Sequence, residues 1–395
     1  MSETPEASMK MLRKIYLAAV IIIGMACVAH AAGEQMKPLQ FPRDAGGHKA
    51  GTEWWYINGH LKDASGNEYG IMAAFFKVEQ MGTRVYFDML GMTDVANGKH
   101  YSIAVADKQS AKMARGVIEW TLKNNPGNAK AKELLDYYDA NESRITLGGP
   151  FAVKDDVLYV KYGENYLEQP SKDKLDFDVY YAFDNVKVKM NMVVKKPPML
   201  TGGNGWIDMA SGGKSYYYSL TRIDASGTIT IGDREIPVSG IAWMDHQWGN
   251  WDQRKFRGWD WFCVQLDNGM DFNLFSFRGD DGKQIDATAT ILDGDNTIVS
   301  KKMQLESHKT WTNPESGSVY PLDWTIRLPE QDIAFEISPV VTEQEMFLMR
   351  QYGAIWEGNT RVTATVRGEK VSGVGYAELT GYAPGMTDIL SKADK

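Results

Sequence analysis

Residues Gly240–Phe262 read GIAWMDHQWGNWDQRKFRGWDWF. Five of the chain's 12 tryptophans fall between Trp243 and Trp261, where an even spread would place fewer than one. The same stretch carries Asp245, His246, Asp252 and Asp260. On a strand, alternate residues face opposite sides, so Trp243, Asp245 and Gln247 share one face. A carboxyl among indoles has a raised pKa, because desolvation disfavours its charged form. A carboxylic acid that keeps its proton near neutral pH can act as a general acid. Asp245 is therefore the candidate acid. The alternative is structural: a buried Asp that bonds indole or backbone N–H groups and fixes a corner of a β domain.

The chain has 395 residues, enough for two or more domains. Its 12 Trp, 19 Tyr and 38 Gly lean toward β-structure with many turns. The net charge is -8 with both signs interspersed and no basic stripe, which argues against a nucleic-acid partner.

Met1–Ala31 reads as a signal peptide. Lys10, Arg13 and Lys14 precede the apolar run Ile15–Val28, which is short for a membrane span, and Ala29-His30-Ala31 has the small-x-small cleavage pattern. The expectation is a periplasmic or secreted protein. Met9 is an alternative start. An uncleaved anchor is one variant, and a lipoprotein through Cys27 ranks second, because Gly24 sits where a large aliphatic is usual. Without Cys27, only Cys263 remains, so no intrachain disulfide forms. Cys263, in the run Trp261–Val264, reads as a small buried hydrophobe.

Outward from the opening stretch, the pattern is of strands. Gly51–Leu61 (GTEWWYINGHL), a turn and Tyr69–Val78 read as a hairpin. In Val186–Lys195, Val and Met alternate with Lys and Asn, as in a strand with one wet face. Lys108–Glu142 breaks the pattern: Leu134, Leu135 and Tyr138 have helical spacing, and Asn124–Asn128 is a breaker. This span is a short, partly helical insertion, either a lid or a plug. Lys195–Gly205 (KKPPMLTGGNG) is the candidate linker. The hairpin from Trp54 echoes the one from Trp259, each with paired aromatics before a turn. The expected organisation is all-β: a signal peptide over 1–31 and β domains over 37–199 and 206–385.

No G-x-S-x-G, H-E-x-x-H, Walker or G-x-G-x-x-G pattern is present. None of the histidines has a second His or a Cys at ligand spacing, so neither a metal nor another cofactor is expected. The chemistry left is aromatic surface and a few carboxylates. Tyr216 and Tyr218 share a strand face and are placed with Trp243 and Asp245 as catalytic candidates. Glu53, beside Trp54 and Trp55, is the corresponding acid of the first half. Glu357 beside Trp356 and Glu378 beside Tyr376 are weaker cases, and all three, Glu53 included, read mainly as structural. His246, Trp248, Trp259, Trp261, Glu53, Trp55 and Trp356 are the candidate ligand-binding residues.

At FPRDAGGHKAGTEWWYINGHL, YYYSLTRI, AWMDHQWG, YGAIWEG and GVGYAELTGY the chain resembles the carotenoid 1,2-hydratase-like (AttH) family. The resemblance implies two tandem lipocalin-like antiparallel β barrels. It also implies an exported protein with an apolar, lipid- or isoprenoid-like ligand. The family's hydratases protonate an alkene with an Asp that follows an aromatic residue by two, the spacing of Trp243 and Asp245. Their preceding strand carries a His and a Trp, where this chain has Tyr216 and Tyr218, so the acid carries over and the carotenoid does not. Two functions follow: acid-initiated hydration, isomerisation or cyclisation of a C=C bond, or non-catalytic carriage of a hydrophobic ligand. Membrane-surface proximity and oligomeric state stay open.

Overall fold

The computed structural model describes residues 36–80, 83–209, 212–251, 257–348 and 353–383. The signal-peptide segment with Cys27, together with Asp252 and Tyr352, lies outside the described residues. The described chain is almost all β, in two curled sheets of 14 and 10 strands. The middle of the first sheet runs Glu68–Gln80, Thr52–Lys62, Arg234–Trp251, Gly213–Ile231, Val186–Val194. The middle of the second runs Asp271–Arg278, Gly258–Leu266, Glu369–Leu379, Ile355–Val366, Ile333–Pro339. All of these neighbours are antiparallel.

Alternation along the central strands builds three apolar layers. Trp55, Ile57, Met244 and Trp248 fill the curl of the first sheet. Phe262, Phe272, Tyr320 and Trp356 fill that of the second. The opposite faces meet in a layer between the sheets, where Tyr56, Tyr217 and Trp243 pack with Trp261, Cys263 and Tyr376. Strands buried on both faces lose the polar half of their pattern, which is why Trp243–Trp248 is buried throughout. Val186–Val194, wet on one face, keeps a strict buried–exposed alternation over most of its length. Polar ties also join the sheets. Asn359 Nδ2 donates to Gly59 O at 3.0 Å, and Gln265 Nε2 donates to Thr221 O at 2.7 Å. Asp271 accepts from Lys196 Nζ at 2.7 Å and from Thr221 Oγ1 at 2.9 Å.

The chain changes sheets between Trp251 and Gly258, later than the expected boundary at Lys195–Gly205. Gly213–Ile231 pairs with Val186–Val194, and Arg234–Trp251 pairs with Thr52–Lys62, so the first sheet runs across that boundary. Lys195–Gly205 is instead a connection inside the first sheet, where Met199 and Leu200 pair with Ser219 and Tyr218. Its glycines serve backbone geometry: Gly202, Gly203 and Gly205 have φ of 71, 92 and 75°. A Pro/Gly cluster marks a change of direction, and it carries no information on which sheet comes next. The two echoing hairpins both form, Thr52–Lys62 with Glu68–Gln80 and Gly258–Leu266 with Asp271–Arg278.

The insertion is helical over two full segments, α1 (Lys108–Asn124) and α2 (Ala129–Ile145). Asp107 caps α1 by accepting from Gln109 N and Ser110 N at 2.8 and 3.0 Å, and Asn128 caps α2 by accepting from Ala131 N at 3.0 Å. Ala114, Val117, Ile118, Leu134 and Tyr138 pack onto Val78 and Val85 of the first sheet. Among the described residues, no helix is long and apolar enough to cross a membrane.

Candidate active site between the sheets

Asp245 is buried in the layer between the sheets. Two residues earlier on the same face, Trp243 donates its Nε1–H to Asp245 Oδ1 at 2.6 Å. The other oxygen accepts a short hydrogen bond from the Tyr217 hydroxyl. Tyr217 Oη in turn accepts from Trp261 Nε1 at 3.0 Å and from Asn273 Nδ2 at 2.7 Å, both on the second sheet. Burial pushes the Asp245 carboxyl up to about 6, while hydrogen bonds from Ser219, Tyr217 and Trp243 hold it back. About half of the carboxyls are then protonated near pH 6, and about a tenth at pH 7.

Two further carboxyls face this layer from the second sheet. Glu357 and Glu378 are directly opposite each other on neighbouring antiparallel strands. Burial and the facing charge of Glu378 push Glu357 well above the usual carboxylate range, against hydrogen bonds from Tyr56 and Tyr376. Tyr56 Oη donates to Glu357 Oε2 at 2.7 Å. Burial raises Glu378 to about 7, the Trp259 indole lowers it, and the charge of Asp245 raises it further. Like charges this close do not both ionise, so the pair holds at least one proton. Asn58 Nδ2 and Asn273 Oδ1 are buried on the same face without a hydrogen-bond partner among the described residues. An unpaired buried donor and acceptor are costly. Both suit a water or hydroxyl.

The sequence-predicted residues separate onto different faces. Trp243, Asp245, Trp259 and Trp261 do come together. Tyr216 and Tyr218 do not join them, because they have the opposite parity and lie against the first sheet's core with Trp248 and Phe41. Tyr217, between them, is the tyrosine on Asp245. Trp356 lies in the second sheet's core, with its Nε1 donating to Thr342 O at 2.9 Å, while its neighbour Glu357 faces the site. Asp260 pairs with Arg278 at 3.0 Å and accepts from Tyr382 Oη at 2.8 Å. Sequence reasoning missed Tyr217, Asn58, Asn273 and Tyr56. In a YYY run, only pairing register tells which tyrosine shares the Asp face, and here Tyr217 pairs with Gln247 and Ser219 with Asp245.

Glu53, Trp55, His246 and Trp248 form a second group on the first sheet's inner face. Glu53 Oε1 meets His48 Nδ1 at 2.8 Å and His246 Nε2 at 3.1 Å, and its other oxygen pairs with Lys77. Burial would raise the Glu53 carboxyl, but the bonds from His246 and His48 outweigh it and hold it at about 2. Burial lowers His246 to about 4.

Fold and site define a two-sheet, half-barrel protein with proton-holding carboxyls in an aromatic layer between the sheets. The chain belongs to the AttH-like family, whose pattern matches residues 32–382. A Nitrosomonas europaea protein given the name AttH has a similar structure, with a TM-score of 0.70 at 24% identity over 91% of this chain and 100% of that one. Kievitone hydratase from Nectria haematococca superposes with a TM-score of 0.66 at 16% identity, over 91% of this chain and 97% of that one. At these identities the likeness concerns the fold. In sequence, the dehydratase asqC of Emericella nidulans is 22% identical over 169 residues, 40% of this chain and 48% of that protein. The match thus spans about half the length of that curated relative.

Proposed function

We propose that this protein is a hydro-lyase-type enzyme acting on an apolar, lipid- or isoprenoid-like molecule, with Asp245 as its acid. The observation that carries the reading is a fully buried carboxyl with a pKa of about 6, set among indoles between the sheets. Hydratase and dehydratase names among similar proteins agree with it.

In the hydration direction, the π pair of a C=C bond takes the Asp245 proton. A C–H bond forms, the carboxyl O–H bond breaks, and a carbocation faces a carboxylate. The Trp243 N–H and Tyr217 O–H, already aimed at the two oxygens, stabilise that carboxylate without reorganising. Indole and phenol faces in the layer stabilise the cation. A water oxygen then forms the C–O bond, and its surplus proton returns to the Asp245 carboxylate, directly or relayed through the Glu357–Glu378 pair, which restores the acid. Asn58 Nδ2 and Asn273 Oδ1 suit holding that water. Dehydration is the same path reversed. Proton loss without water capture gives isomerisation or cyclisation.

The test is turnover of a panel of terminal and trisubstituted alkenes and their alcohols by the wild type and by Asp245→Asn. General acid catalysis contributes roughly 10²–10⁴-fold, and the folded variant should lose about that much while still binding ligand. A wild type that binds these compounds and converts none favours the carrier reading.

A further inference from the structure

We propose that His48, Glu53 and His246 form a transition-metal site, best suited to zinc, on the inner face of the first sheet. The ligand atoms come from a loop and two paired strands, and all lie within 4.8 Å of one another. His48 Nδ1 and His246 Nε2 converge on the same oxygen, Glu53 Oε1, at 2.8 and 3.1 Å. Ligand bonds of about 2.0–2.2 Å in a tetrahedron place neighbouring ligand atoms roughly 3.3 Å apart, so small side-chain shifts suffice.

The surroundings are arranged as they are around metal-bound histidines. Each ring offers its other nitrogen to an outer partner: His48 Nε2 faces Asp44 Oδ1 at 3.4 Å, and His246 Nδ1 faces Tyr218 Oη at 3.3 Å. Such contacts fix the ring orientation of ligating imidazoles. Stacking fixes the rings further, with Trp248 on His48 at 3.7 Å and 3° and Trp55 on His246 at 4.7 Å and 23°. Lys77 engages Glu53 Oε2, and the His48 backbone N–H lies 2.9 Å from Oε1 and 3.0 Å from Oε2, so Oε1 keeps one lone pair for the ion. Two imidazoles and one carboxylate suit zinc rather than calcium or magnesium, and three protein ligands leave one position open, as in catalytic zinc sites. Asp245 and His246 are consecutive on one strand and face opposite ways, so this site is back to back with the acid. It does not depend on the hydro-lyase reading.

The experiment strips the full-length protein with a chelator, reloads it with zinc or cobalt, removes excess ion by gel filtration and measures retained metal by mass spectrometry. One zinc per chain is expected, and the cobalt form should show visible bands of four-coordinate nitrogen and oxygen ligation. His48→Gln should abolish retention. Asp44→Asn, an outer partner, should weaken affinity by about 10–100-fold. His308→Gln, at an exposed histidine, should change nothing. Sub-stoichiometric zinc in the wild type, an octahedral aqueous-type cobalt spectrum, or equal retention by His48→Gln and wild type would each overturn the site and leave a buried ion-paired network. The cobalt spectrum needs no variant, so a misfolded His48→Gln leaves the proposal open to refutation.

Discussion

Replacing Asp245 by Asn should remove a pH dependence of stability that the buried carboxyl imposes on the wild type. Asp245 has a folded pKa of about 6 against an ordinary 3.8. Below 3.8 the carboxyl is protonated in both states and costs nothing extra. Between these values the unfolded chain ionises while the folded chain keeps its proton, so wild-type stability falls as pH rises, until the folded group ionises too. A gap of about two units at 1.36 kcal/mol each is about 3 kcal/mol. Asn lacks this titration. It also turns an N–H toward either Trp243 or Tyr217, but that penalty does not vary with pH. Urea unfolding of both proteins from about pH 3 to about pH 8, below the unfolded and above the folded pKa, isolates the difference. The variant should gain about 3 kcal/mol relative to the wild type across that range, with most of the change complete by about pH 6. A flat difference, or one running the other way, would refute a buried, proton-holding Asp245.

Tyr217→Phe removes a hydrogen bond that holds the Asp245 pKa down, so the carboxyl's titration, followed by carbon NMR of labelled aspartate, should move to higher pH. Tyr218→Phe, on the other face, should leave it in place. Glu53→Gln strips the buried Lys77 of its carboxylate, and removing one partner of a buried pair should cost about 3–5 kcal/mol in urea unfolding. For export, intact-mass measurement of periplasmic protein should find a species beginning near Ala32, and one that retains Met9–Ala31 would contradict it.

What the sequence could and could not tell follows from period and register. The all-β class and the Trp243–Asp245 face were legible, because alternation within one strand needs nothing from elsewhere. So was the aromatic hairpin echo, which both sheets realise. Which tyrosine meets Asp245 was not legible, since the choice among Tyr216, Tyr217 and Tyr218 rests on pairing between strands. The His48–Glu53–His246 group was hidden for the same reason: Trp55 pairs with His246 and Glu53 with Trp248, which joins residues almost two hundred positions apart. The sheet boundary was misplaced because Pro and Gly report local backbone needs. The extent of the helices was underread because the buried positions of α1 are mostly small or polar: Ser110, Ala111, Ala114 and Thr121, besides Val117 and Ile118.

The most direct test of an acid that drives water across a double bond is to run the wild-type reaction in water labelled with heavy oxygen and deuterium. The predicted alcohol carries one heavy oxygen and one carbon-bound deuterium from solvent, and both disappear with Asp245→Asn. An alcohol without solvent oxygen, or label incorporation unchanged by Asp245→Asn, would contradict the account.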